Sequence, residues 1–312
     1  MTPMSSTPSV VIVGAGAMGC LFAARMAEQG AAVTLVDVDR DRLSAIESGG
    51  ITLTDDSGSR AIPVGARLAE QVEEPVDLVL LFTKGTHSAA AIASVAHLAN
   101  AGPVALTLQN GIGNADLLAE SFGKEKVLMG TAHVPADLTG PASVETHGFG
   151  FLELGGFTPG AQEFAAPVAE LLERAGFEAK IAQDANHAVW EKVAFNAALN
   201  AMAMICGVPN AGMDNEPGRR LAAKVVDETV AVAAAKGIAL DRDQIMRTID
   251  AALREHAHHK ASMLQDREHG RQTEIGTING AIAREGAQLG VATPVCETLT
   301  DLVRVIELAY RA

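Results

Sequence analysis

The sequence predicts an α/β protein in which an N-terminal doubly wound sheet, residues 1–183, is followed by an all-α domain, residues 184–312. Three observations predict it. A β-branched run, Ser9-Val10-Val11-Ile12-Val13, opens directly onto Gly14-Ala15-Gly16-Ala17-Met18-Gly19. Short apolar runs then alternate with helical stretches as far as Ile181, the pattern of parallel strands with crossover helices. From Asp184 onward the apolar spacing is helical almost to the end.

The first unit carries the strongest local signal. Strand, glycine turn, a helix through Arg25 to Gln29 closed by Gly30, a second strand Ala32-Val33-Thr34-Leu35-Val36 and then Asp37 follow in about thirty residues. Each part has a task in binding a dinucleotide. Gly14 permits the tight turn, Gly16 lets the backbone approach a pyrophosphate, and Gly19 lets the helix sit close to the sheet. The helix start, with Ala15, Ala17 and Met18 around it, offers unpaired N–H groups to phosphate. This is a Rossmann-type arrangement. Asp37 would accept hydrogen bonds from ribose hydroxyls and repel a 2′-phosphate, which leans the cofactor towards NADH. Arg40 and Arg42 follow closely and argue the other way, for NADPH.

The remaining elements follow in order. Ile51 to Val64 is expected to form a hairpin around Asp55-Asp56-Ser57-Gly58. Val76 to Phe82 and Val104 to Leu108 are expected strands, ending in Thr83-Lys84-Gly85 and Gln109-Asn110-Gly111. Ligands of doubly wound sheets sit beyond such strand ends, so Lys84 and Asn110 are candidate contacts; a solvated lysine and a turn-forming Asn-Gly explain them equally well. Val127 to Thr131, Ala142 to Glu145 and Phe149 to Leu154 read as strands, Ala161 to Ala175 as a helix and Phe177 to Ile181 as a closing strand. In the second half, Pro217 to Lys236 is a long helix, and Asp241 with Gln244 opens another that reaches about His256. Thr273 to Leu289 is expected to be helical, and Thr293-Pro294 to cap a last helix running to about Tyr310.

One stretch of the helical half is chemically unusual. Lys192, Asn196 and Asn200 stand four apart, so their tips share a stripe ~80° wide on an otherwise apolar helix. Burying them without partners is costly. Two readings stand side by side here. Either the lysine snorkels to water and the asparagines tie down loops, or the stripe is an active-site wall with one proton donor and two amides.

The totals exclude several classes. A chain of 312 residues is long enough for two cores. Its formal net charge of −14, without a Lys/Arg run, argues against nucleic acid and against anionic membrane surfaces. Cys20, Cys206 and Cys296 lack metal-ligand spacing and suggest free thiols in a reducing compartment. The Ser/Thr/Pro-rich residues 1–9 lack the pattern of a signal peptide, and no apolar run reaches the ~20 residues that span a bilayer. The cytoplasm is the expected compartment. His256, His258 and His259 lack i, i+4 pairing and a completing carboxylate or thiol, so a solvated helix end is expected and no metal site.

Taken together, the motifs resemble the ketopantoate reductases (2-dehydropantoate 2-reductases) over nearly the whole chain. The glycine loop, Thr83-Lys84, Gln109-Asn110-Gly111 and Trp190-Glu191-Lys192 with Asn196 and Asn200 carry the resemblance. So do Val208-Pro209-Asn210, Ser262-Met263-Leu264-Gln265-Asp266, and Thr273-Glu274-Ile275 with Ile278-Asn279-Gly280. The resemblance implies a Rossmann domain followed by a helical domain, and an NAD(P)H-dependent reduction of a 2-keto acid. It implies that Lys192 protonates the ketone oxygen and that Glu274 lies near it, touching cofactor and substrate. Asn196, Asn200 and Asn210 become the amides that hold substrate polar groups, and Ser262 the start of a carboxylate-binding segment. Lys84, Asn110 and Ala136 become cofactor contacts, Asn110 also a substrate contact. Where members of that family carry an arginine for the NADP phosphate, this chain has Asp37-Val38-Asp39. Two alternatives keep the same fold: a reductase of another branched 2-keto acid, and a non-catalytic dinucleotide sensor, which would need neither Lys192 nor Glu274. The apolar helical half suggests a homo-oligomer, expected as a homodimer.

Overall fold

A computed structural model describes residues 7–73, 75–148 and 150–311. Residues 1–6, and Phe149, where a strand was expected to begin, lie outside the described residues. The chain divides into two compact units. The first comprises residues 1–109 and 114–185; the second comprises 110–113 and 186–312.

The first unit is built on β-branched and leucine-rich strands with both faces covered, as parallel sheets require. β1 (Ser9–Val13) leads through the glycine loop into α1 (Ala17–Glu28), and β2 (Ala32–Val36) into α2 (Arg40–Gly49), which Asp39 caps by accepting from the Arg42 N–H at 3.1 Å. β3 (Ile51–Asp55) and β4 (Gly58–Ile62) form the expected hairpin, followed by β5 (Gly65–Arg67). β6 (Leu78–Leu81), α3 (Ser88–Val95), β7 (Val104–Thr107) and α4 (Asn114–Phe122) continue the alternation. β8 (Val127–His133), β9 (Asp137–Gly140), β10 (Ser143–Glu145), β11 (Phe151–Gly156), α5 (Ala165–Arg174) and β12 (Glu178–Ile181) complete the unit.

Eight strands form one sheet in the order β12-β11-β8-β7-β6-β1-β2-β5. The run from β5 to β8 is parallel throughout; among the described residues only the β8–β11 pairing of this sheet is antiparallel. The order reverses direction between β1 and β6, and ligands of such sheets bind at that switch point. Phe22 of α1 stacks on Phe177 at 4.2 Å and tilts against Phe82 at 4.6 Å, fixing α1 to the sheet. A second sheet, β4-β3-β10-β9, covers one end of α1. Its β3–β10 pairing joins segments about ninety residues apart, which local periodicity cannot reveal.

The second unit is helical. α6 (Ala185–Cys206) is its spine, and Trp190, Val193, Ala194, Ala197, Ala198, Ala201 and Met202 are all buried. A helix that is apolar nearly all round belongs inside. α7 (Asn210–Met213), α8 (Glu216–Ala235), α9 (Arg242–Glu255), α10 (Ser262–Glu268), α11 (Asn279–Leu289) and α12 (Pro294–Leu308) complete it. Asp241 caps α9 through the Gln244 N–H at 2.9 Å.

Two expectations are corrected. The helix expected from Thr273 begins only at Asn279, because residues 273–278 fold into a turn. There the N–H groups of Thr277 and Ile278 both return to the Glu274 carbonyl, and Thr273 is held by Glu307. Thr293 does not cap α12 with its side chain; Glu228 of α8 takes the Val295 and Cys296 N–H groups instead, each at 2.8 Å. A carboxylate at a helix start meets both unpaired donors and positive partial charge.

Candidate functional site

In the first unit, a cleft of about 400 Å³ opens at the switch point, beyond the ends of β1, β2 and β6. Gly14, Gly16, Asp37, Val38, Thr83, Lys84 and His87 are among the residues that line it. Gly14 has φ +108°, and a Cβ there would lie 2.7 Å from the Thr83 nitrogen. A Cβ on Gly19 would sit 1.8 Å from the Gly14 carbonyl oxygen, so the start of the helix meets the loop only because residue 19 is glycine. Gly16 differs: an added Cβ would meet no atom within 4 Å. The protein leaves that space open, where a phosphate can approach the backbone at the start of α1. A dinucleotide therefore fits this cleft. Val38 is 90% exposed, and with Ala90 and Ala91 it provides an apolar wall suited to a flat base.

Asp37 is the hub of the loop. One of its oxygens accepts from the Ala15 N–H at 2.6 Å, the other from Val38 at 2.7 Å and Asp39 at 3.0 Å. Arg42 donates to the Ala15 carbonyl at 2.7 Å and lies 3.5 Å from Asp39. Sequence reasoning set Arg42 against Asp37 as rival cofactor signals. Both in fact grip Ala15 of the glycine loop, Asp37 at its N–H and Arg42 at its carbonyl. Beneath them Cys20 is buried, and its thiol is pushed up to about 12 by that burial. Lys84 is half-buried at the edge of the cleft. The loop that carries it is tied down by Gln109, whose amide donates to the Thr83 carbonyl and, at 2.9 Å, to the Ser88 hydroxyl. Ala136 is half-buried in the connection between β8 and β9.

In the second unit, α6 presents Lys192, Asn196 and Asn200 on one stripe, as its spacing requires. Lys192 and Asn196 are half-buried and Asn200 is buried. Burial pushes the Lys192 ammonium down to about 8, and the nearby Glu274 carboxylate opposes that fall. Glu274 projects from the 273–278 turn, and its Oε2 accepts from the Asn110 amide at 3.0 Å. Asn110 belongs to the 110–113 segment, which is locked onto the same turn. The Ile112 N–H donates to the Thr277 carbonyl at 3.0 Å. Gly111, at φ +90°, has no room for a Cβ, which would lie 2.4 Å from that carbonyl oxygen.

The structure thus brings Lys192, Glu274 and Asn110 together. Asn200 donates to the Ser262 hydroxyl at 3.4 Å, which joins α6 to the start of α10. Asn210 is buried, and its amide donates to the Ala252 carbonyl at the end of α9, 3.2 Å away. His256, His258 and His259 are exposed beyond the end of α9, and among the described residues no group of three or more His, Cys, Asp or Glu is placed to hold a metal. Among the described residues no helix is long and apolar enough to cross a membrane. Sequence reasoning missed Thr277, Glu307 and the loop-gripping role of Arg42. The positive φ that Gly111 needs was the one available hint, since Asn-Gly marks such a turn.

Comparisons with known proteins cover both units. The family model described as "Ketopantoate reductase PanE/ApbA" matches residues 10–159, and "Ketopantoate reductase PanE/ApbA C terminal" matches residues 184–307. A 2-dehydropantoate 2-reductase of Streptococcus pyogenes serotype M3 is 30% identical over 96% of this chain and 97% of its own. A PanE/ApbA family ketopantoate reductase from Ralstonia eutropha JMP134 has a crystal structure that superposes with TM-score 0.89 at 30% identity, covering 97% of this chain and all of the other. A D-mandelate dehydrogenase, solved with NADH and anilino(oxo)acetate, superposes with TM-score 0.92 at 29% identity over 97% and 100%. With both family models matched in order and full-length relatives at this level, the chain belongs to the ketopantoate reductase family.

Proposed function

We propose that the protein is a 2-dehydropantoate 2-reductase, converting ketopantoate to (R)-pantoate on the route to pantothenate and coenzyme A. The observation that carries this reading is the half-buried Lys192 ammonium, poised near neutrality beside Glu274, in a chain whose full-length relatives bear that name. Reducing a 2-keto acid requires a proton at the ketone oxygen and a positive charge to stabilise the nascent alkoxide. A lysine whose pKa lies near the working pH meets both needs. Lys192 donates the proton from Nζ to that oxygen. Glu274 keeps Lys192 protonated at neutral pH against the pull of burial. Asn196, Asn200, Asn210 and Ser262 are the polar groups proposed to hold the substrate carboxylate and hydroxyl.

The family uses a nicotinamide dinucleotide, which supplies the hydride when bound. The glycine loop, Lys84, Asn110 and Ala136 are the proposed contacts, with Asp37 on the adenosine ribose. NADH is the proposed preference. Asp37 places a carboxylate at the end of β2, and Arg42, the nearest counter-argument, is engaged by the Ala15 carbonyl and Asp39. The structural likeness to a D-mandelate dehydrogenase solved with NADH supports the same choice.

That likeness also favours a second reading, in which another 2-keto acid with a bulkier substituent is the better substrate. One experiment addresses both. Nicotinamide absorbance is followed with purified protein, ketopantoate and each reduced cofactor, then with a panel of branched and aryl 2-keto acids ranked by kcat/KM. Ketopantoate with NADH is expected to lead. Absence of turnover with every acid, despite tight cofactor binding, would instead favour a dinucleotide sensor.

A further inference from the structure

We infer that Glu307, near the end of α12, is a positioning residue that sets the direction of Glu274 through Thr273. The inference rests on the reading of Lys192 and Glu274 as the proton-donating pair. One carboxylate oxygen of Glu307 accepts both donors of Thr273, the N–H and the hydroxyl, each at 2.7 Å. Thr273 is 1% exposed, so neither donor has water as a substitute. The same hydroxyl oxygen accepts the N–H of Ile275 at 3.2 Å. The residues on either side of Glu274 are therefore fixed through one hydroxyl, and Glu307 decides where that hydroxyl points. The far side of the turn is closed separately, by Thr277 and Ile278 on the Glu274 carbonyl and by Arg284 on Gly276 at 2.9 Å.

A carboxylate suits this task because hydrogen bonds to a charged acceptor are about twice as strong as neutral ones. Tyr310, just beyond α12, is acted on by Glu307 together with Asp266 and Arg267 of α10. Arg267 donates to the Met204 and Ile205 carbonyls at the end of α6, and Asp266 pairs with Arg271 at 3.0 Å. Glu307 holds Thr273 within that set. Without it the turn loses its N-terminal tie, Glu274 swings relative to Lys192, and the lysine releases its proton at lower pH.

The test compares Glu307→Ala, Glu307→Gln, Thr273→Val and Thr273→Ser in the full chain. Glu307→Ala is expected to lower kcat about tenfold, shift the alkaline limb of the pH–rate profile to lower pH and leave the cofactor KM nearly unchanged. Glu307→Gln retains an acceptor oxygen and should recover most of both losses. If Glu307→Ala does not fold, Thr273→Val reads the same relay, with Thr273→Ser as its conservative partner. The pH dependence of Lys192 modification by an amine-reactive reagent, read by mass spectrometry, reports its ionisation whether or not any keto acid is turned over. It thereby separates failure of this inference from failure of the proposed activity. A Lys192 labelling profile that is the same in wild type, Glu307→Ala and Thr273→Val would overturn it.

Discussion

The Asn110 amide donates to Glu274 at 3.0 Å, and Glu274 in turn is the group that opposes the loss of a proton from Lys192. A residue read from sequence as a strand-end contact thus reaches the carboxylate that tunes the candidate acid.

Asn110→Asp should therefore be more damaging than its size suggests. It removes a donor and puts a second negative charge within hydrogen-bonding range of Glu274. The expected loss in kcat/KM is roughly 10- to 100-fold, with an unchanged circular dichroism spectrum. Activity within twofold of wild type would mean that Asn110 does not act on Glu274.

Glu274→Gln tests the electrostatic coupling by its sign. Lys192 is active when protonated, so the rate falls as pH rises through about 8. Glu274 raises that value, so its neutralisation must move the alkaline limb to lower pH. The pH profile of kcat/KM measures this; a limb that stays in place or moves up would contradict the assignment.

Lys192→Met should separate activity from stability. The lysine is lowered from 10.5 to about 8 in the folded chain, so the unfolded chain binds the proton more tightly. This contribution reduces stability fully below about 8 and relaxes as pH rises towards 10.5. An apolar chain of similar length should raise the thermal midpoint at pH 7 by a few degrees while abolishing turnover. The gain should shrink above pH 10, which calorimetry across pH would show.

At the glycine loop, Asp37→Ser should relax the preference for NADH, and Asp37→Ser with Arg42→Ala should weaken both cofactors. The two side chains hold the N–H and the carbonyl of Ala15, in successive peptide units, so losing both frees the loop. Dissociation constants for NADH and NADPH from fluorescence titration measure the effect. NADPH binding that survives the double substitution unchanged would remove Arg42 from any role in the loop.

Much of this was legible in the chain because the signals are local. The glycine loop, the strand that precedes it and Asp37 lie within thirty residues, and Gly14 and Gly19 have steric reasons that sequence alone implies. The polar stripe of α6 follows from helical spacing. What escaped depends on contacts between distant segments. Nothing near Thr273 announces that Glu307 will hold it, so a run with helical composition was expected to start one and a half turns too early. Thr293-Pro294 has the composition of a cap, yet Glu228, more than sixty residues earlier, supplies the acceptor. The β3–β10 pairing that creates the second sheet is equally nonlocal. Arg42 looked like a phosphate ligand because its partner, a main-chain carbonyl, leaves no mark in sequence.

The most direct test of Lys192 as the proton donor is the turnover of Lys192→Ala with ketopantoate and NADH, measured beside its affinity for NADH. A fall in kcat of about 10²- to 10⁴-fold with a nearly unchanged dissociation constant for NADH is the predicted result. Turnover within tenfold of wild type would contradict it.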